Sequence, residues 1–149
     1  MLESLLEDAT KILGIDGQYG ELPGTGWIVG LREDEVMLVH LNEDGDRVAF
    51  EYDLGPLPEQ NRVAALEAML LFNYASVEFA RLKTGISANK RAVLLFDMPV
   101  EGVDATQAAN TIAMMAENGA AWKSLYEETV EHGEPEAAAP APAGRSEFI

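Results

Sequence analysis

Apolar residues recur at helical spacing at the start of the chain: Leu2, Leu5, Leu6, Ala9, Ile12 and Leu13, with Glu3, Glu7 and Asp8 between them. This spacing predicts an amphipathic first helix ending near Gly14. The glycine-rich stretch 15–25 reads as a loop. Three strand-like runs follow, over 27–31, 36–41 and 47–54, separated by polar breaks. The second break contains Asp44 and Gly45, a strong hairpin signal. In the third run Val48, Phe50, Tyr52 and Leu54 alternate with Ala49, Glu51 and Asp53, so one face is apolar. An antiparallel three-stranded meander is the simplest arrangement.

Pro56 and Pro58 break the chain before a second helix predicted over 60–83. No charge occurs from 68 to 77. Val63, Leu66, Leu70 and Val77 lie on one side of it, Met69, Phe72 and Phe79 on a second, and Leu71, Ala75 and Leu82 on a third. A helix apolar most of the way round is buried from more than one direction. In so short a chain the second cover is expected from another subunit. Leu66, Leu70, Phe72, Asn73 and Val77 are therefore the candidate dimer-interface residues. A short strand near Gly85 and a further strand over 91–98 come next. Asp104, with Gln107 three residues on, caps a third helix reaching about Glu131. Ala108, Ile112, Met115, Gly119, Trp122 and Tyr126 form its apolar seam.

The expected order is thus α-β-β-β-α-β-β-α, an α+β fold with a mainly antiparallel twisted sheet covered by helices. One domain is expected over 1–132. From Gly133 the chain is rich in Pro, Ala and Glu, too poor in apolar surface to offset chain entropy, and 133–149 is expected to be a disordered tail. Its last residues, 145–149, read as a cloning remnant and are left out of the fold.

Charge narrows the function. The chain has 149 residues and a formal net charge of −16, from 26 acidic and 10 basic residues. Phosphate backbones bind Lys and Arg, so nucleic acid is not an expected partner. Nor is membrane insertion, because no apolar run approaches the roughly 20 residues a spanning helix needs. An acidic, periodic N-terminus is unlike a signal peptide, so the cytoplasm is the expected location. The absence of cysteine excludes disulfides and thiolate chemistry. His40, in the second strand, has Asp44 and Asp46 in the adjacent turn, but such a histidine is usually plain surface. Glu33, Asp34 and Glu35, like Glu43, Asp44 and Asp46, lack the spacing of a calcium loop and read as solvated turns. No phosphate-binding or nucleophile motif is present. The expectation is a binding protein without catalytic residues, metal or cofactor.

Several stretches resemble the class I type III secretion chaperones, the CesT-like (Tir chaperone) family. Leu5, Leu6, Leu13 and Gly14 resemble the family's opening helix. The run Leu70, Leu71, Phe72, Asn73 resembles its second-helix motif. Phe96 to Val100, followed by Val103, Asp104 and Ala105, resembles its junction before the last helix. Ala116, Glu117 and Trp122 resemble its closing helix, although the gap before Trp122 departs from the pattern. So does the first strand, with Trp27, Ile28 and Val29 where smaller residues are usual. The resemblance spans roughly residues 2–130.

It implies a homodimer that binds the N-terminal segment of a secreted effector, keeps it non-globular, and uses neither nucleotide nor metal. It also points to the secretion apparatus ATPase as a further partner. An extended client can add to a sheet edge or lay apolar side chains in grooves. The candidate effector-binding residues are Leu5, Trp27, Val29 and Phe50, from the first helix and strands. Two other readings fit the same residues. One is a chaperone-like domain not tied to secretion. The other is an acidic inhibitor or immunity protein for a basic toxin, which the charge suits.

Overall fold

The structure is a computed structural model, and it describes residues 2–15, 19–22, 26–32, 35–76 and 82–133. The element order is α1 (Leu2–Leu13), β1 (Tyr19–Leu22), β2 (Gly26–Arg32), β3 (Glu35–Leu41), β4 (Arg47–Pro56), α2 (Arg62–Ser76), β5 (Lys83–Ile86), β6 (Arg91–Pro99) and α3 (Ala105–His132). The strands hydrogen-bond in the order β1-β2-β3-β4-β6-β5. The pairs β1–β2, β2–β3, β3–β4 and β5–β6 are antiparallel. The α+β class and the meander are as expected.

Two compact units make up the chain, each from two segments: Met1–Tyr52 with Phe96–Glu117, and Asp53–Leu95 with Asn118–Ile149. In the first, α1 stops where predicted. Gly14 takes a φ of 74°, and its N–H donates to the Lys11 carbonyl at 3.1 Å. The left-handed turn is open to glycine without steric cost. In the β3–β4 turn Gly45 has a φ of 72°, and the Asn42 side chain accepts from the N–H groups of Asp46 and Arg47. Along β4, Val48, Phe50 and Tyr52 point inward. They share the core of this unit with Leu6, Met37, Val39, Ile112 and Met115. The predicted cap is reciprocal: Gln107 N–H donates to Asp104 Oδ1 at 2.8 Å, and Asp104 N–H to Gln107 Oε1 at 3.1 Å.

In the second unit, Ala65, Ala68, Met69 and Phe72 of α2 are buried, as are Leu82, Leu94, Trp122 and Tyr126. The Tyr126 hydroxyl donates to the Pro56 carbonyl at 2.9 Å, and the Asn61 amide to the Val130 carbonyl at 2.8 Å. Arg91 forms a two-pronged ion pair with Asp53, both bonds 2.8 Å.

Two expectations need correction. Part of the stretch read as a loop is a strand: Tyr19–Leu22 pairs with β2, Tyr19 opposite Val29 and Leu22 opposite Gly26. Its ladder is supplied by a neighbour, which local composition does not register. The second helix is also shorter than 60–83. It ends at Ser76, whose hydroxyl donates to the Leu82 carbonyl at 2.7 Å, and Lys83 already belongs to β5. An apolar stretch that passes from helix to strand keeps its hydrophobicity, so the pattern alone reads on as helix. Val77 and Phe79 lie outside the described residues, as does the tail expected beyond Gly133.

Candidate functional site

The α2 helix divides its three apolar sides. The one carrying Met69 and Phe72 faces inward, and Phe72 meets Trp122 edge to face, with ring centroids 4.4 Å apart. The other two face out. Leu70 is 67% exposed and Leu71 58%, with Val63 and Tyr74 also largely exposed. Leu66 is half-buried. Four large apolar side chains on one 15-residue helix make a patch that needs explaining.

Asn73 holds β5 against this helix. Its Oδ1 accepts from the Thr84 N–H at 2.7 Å, and its Nδ2 donates to the Thr84 carbonyl at 3.2 Å. The single Thr84 hydroxyl proton is shared between the Met69 carbonyl at 2.9 Å and Asn73 Oδ1 at 3.1 Å. A groove of about 350 Å³ runs beside this lock, lined by Leu66, Met69, Leu70, Asn73, Thr84, Gly85 and Ile86. Of the five residues expected at a dimer interface, Leu70 is on the open face and Leu66 and Asn73 line its groove. Phe72 is internal, because its inward side of the helix meets Trp122, and Val77 lies outside the described residues.

The effector-binding candidates divide as well. Leu5 is half-buried and lines a groove of about 290 Å³ with Leu2, Ser4, Asp8, Val100, Val103, Asp104 and Ala105. Trp27, Val29 and Phe50 are buried, at 8%, 0% and 1% exposure. They belong to the core because inward positions alternate along β2 and β4. The Trp27 Nε1–H is buried without a partner.

The open side of the same strands carries residues that the sequence reading did not single out. Val36 and Leu38 on β3 are 46% and 37% exposed, while Met37 and Val39, which alternate with them, are fully buried. Both faces of β3 are apolar, so alternation could not tell inside from outside. The partner of His40 is Glu51 on β4, not the turn aspartates: Nε2 contacts Glu51 Oε2. That hydrogen bond raises the His40 pKa above its usual value, against the opposing effect of burial. Asp46 instead builds the turn, accepting from the Asn42 amide at 2.7 Å. Glu35 Oε1 accepts from the Tyr52 hydroxyl at 2.8 Å. Among the described residues no group of three or more His, Cys, Asp or Glu is arranged to hold a metal. No described helix is long and apolar enough to cross a membrane.

The family profile of the Tir chaperone protein (CesT) family matches residues 5–123. Among solved structures, a chain of the Yersinia pestis type III secretion chaperone SycH in complex with a stable fragment of YscM2 is similar. It has 17% identity and a TM-score of 0.59, over 80% of this chain and 98% of that one. A chain of the ExsC–ExsE complex matches with 15% identity and a TM-score of 0.65, over 92% and 96%. A chain of the heterodimeric ExoU–SpcU complex from the type III secretion system of Pseudomonas aeruginosa matches with 17% identity and a TM-score of 0.60, over 87% and 100%. At these identities the likeness is one of fold. No curated protein sequence matches the chain significantly.

Proposed function

Because the chain belongs to the Tir chaperone protein (CesT) family, we propose that it is a dedicated chaperone for a type III secreted effector, binding the effector's N-terminal segment and keeping it non-globular. The family is one of chaperones rather than of enzymes. The observation that carries the reading is the family match over 5–123, joined to apolar surface left open on a folded chain. Ordering a client costs about 1–2 kcal/mol per backbone residue. Exposed ion pairs return about 1 kcal/mol or less each. Apolar burial at about 25 cal/mol per Å² must therefore supply most of the affinity.

In this reading the chaperone works in the bacterial cytoplasm as a homodimer. The open α2 face joins the two copies: Val63, Leu70, Leu71 and Tyr74 would each contribute on the order of 1.5–3 kcal/mol if fully covered. The Leu5 groove is left for client side chains, and the secretion ATPase is a further partner of the loaded complex.

The test is co-expression with candidate secreted proteins from the same genome, purification of the complex, and protease mapping of the protected segment. The expected result is one partner protected over an N-terminal stretch on the order of 50–100 residues, with little folded structure of its own. Binding that persists at about 0.5 M salt supports the chaperone. A folded basic partner released at that salt would instead establish the acidic inhibitor, which the net charge of −16 favours.

A further inference from the structure

The open face of β2, β3 and β4 has an ordered layout. In register across the strands run Gly26, His40 and Ala49; then Ile28, Leu38 and Glu51; then Gly30 and Val36. On β2, therefore, Ile28 stands between two glycines on the same face. Neither glycine has a Cβ, so β2 itself places no side chain on this face immediately to either side of Ile28, beside Val36 and His40. Glycine inside a strand weakens it, and marks a place where another chain can approach closely. The walls of this trough are apolar and open, with Val36 46% and Leu38 37% exposed.

At its edge sits Glu51, whose side chain is only 18% exposed. A carboxylate so far withdrawn from water requires a partner. The partner is His40, whose own side chain is 42% exposed, and an imidazole balances the charge only while protonated. The other charged groups on and around this face are few. On β2 the described side chain on this face, Ile28, is uncharged. On β4, Arg47 is already paired with Asp97 at 2.6 Å. The β3–β4 turn adds Glu43, Asp44 and Asp46, all acidic. Farther along β4, Asp53 is paired with Arg91. Among the described residues the cation in contact with Glu51 is His40, and its charge can be lost.

We propose that this trough docks an extended segment of the client in which apolar side chains alternate with Lys or Arg, a basic group pairing with Glu51 beside or in place of His40. The inference rests on the chaperone reading and says which client chemistry it selects. Period-two alternation suits a strand laid on a sheet face, since every second side chain points down. A second copy of this acidic chain is a poor occupant, because it would set Glu51 and the turn carboxylates against their own equivalents.

Uniformly ¹⁵N-labelled protein is titrated with three capped octapeptides, alternating Ile and Lys, Ile and Glu, and Ser and Lys, in about 0.15 M NaCl. The Ile/Lys peptide is expected to shift the amides of residues 26–30, 36–40 and 49–51. Glu51→Gln and Leu38→Ser should each weaken it about tenfold or more. His40→Gln should strengthen it, and wild-type affinity should rise as pH is raised through the His40 titration. The other two peptides should leave these amides unmoved. Val36→Ser provides a second exposed variant, and circular dichroism checks each fold. Shifts that map elsewhere, or variants that bind like wild type, overturn the proposal. So do concentration-dependent shifts of these amides without peptide, which would give the face to a second copy. A secreted client captured as well by Leu38→Ser and Glu51→Gln as by wild type overturns this inference and leaves the chaperone reading standing. A trough that takes the peptide in a protein that binds no secreted partner overturns both.

Discussion

Phe72 and Trp122 meet with ring centroids 4.4 Å apart and planes inclined at 72°. This contact separates two neighbours in sequence that look alike, Phe72 inside and Leu71 outside. Edge-to-face pairs add about 0.5–1.5 kcal/mol to the burial of the rings themselves.

Phe72→Ala should therefore lower the stability of the chain by about 3–5 kcal/mol, read from urea unfolding. Leu70→Asp, two residues away and exposed, should keep its helical circular dichroism and change the sedimentation coefficient from dimer to monomer. If Leu70→Asp unfolds the protein as Phe72→Ala does, the assignment of inner and outer helix faces is wrong. A wild-type chain that sediments as a monomer at micromolar concentration removes the dimer.

Asn73 is expected to matter through β5. Asn73→Leu keeps the side chain's size but leaves the Thr84 N–H and carbonyl without their partner, and buried groups left unpaired cost about 1–3 kcal/mol each. A fall in melting temperature, with faster hydrogen exchange across residues 83–86, is the expected signature. Thr84→Val should give a smaller loss, because the backbone bonds to Asn73 survive. Equal protection of β5 in Asn73→Leu and wild type would show that the lock is not needed.

Two of the ion pairs on β4, His40–Glu51 and Arg91–Asp53, respond to pH in opposite directions. The His40 pKa is raised by its hydrogen bond to Glu51, so the contribution of this pair is complete below about pH 6.5 and lost as pH rises through the raised value. The stability gap between wild type and His40→Gln should be widest in that acidic range and close at alkaline pH. The Asp53 pKa is lowered, chiefly by its hydrogen bond to Arg91. Its contribution is present above the usual aspartate range and lost as pH falls through the lowered value. Asp53→Asn should cost stability at neutral pH and nothing at the acid end. Denaturant midpoints across pH measure both, and a His40→Gln gap that widens at alkaline pH would contradict the pairing.

Local signals alone determined much of this chain. The left-handed Gly14 at the end of α1, the Gly45 turn, and the Asp104–Gln107 cap are satisfied within a few residues of themselves. So a single stretch of sequence carries the whole of their physics. The alternation of Val48, Phe50 and Tyr52, and the seam from Ala108 to Tyr126, gave the inward faces of β4 and α3 for the same reason. One face is apolar and the other is not.

Tertiary structure decided whatever depended on a distant partner. Tyr19–Leu22 is a strand because β2 offers it a ladder. Lys83 begins a strand within the stretch read as the second helix because Asn73 and β6 supply Thr84 and its neighbours with partners. Where both faces of an element are apolar, periodicity has no contrast to read. That is why Phe72, Val29 and Trp27 could be offered as surface when they are core, whereas Phe50 is buried on the face that the β4 alternation marks as inward. It is also why Val36 and Leu38 went unread on the open side of the sheet. His40 found Glu51, 11 residues on, because antiparallel pairing brings the two strands side by side, a proximity that chain order expresses only once the register is set.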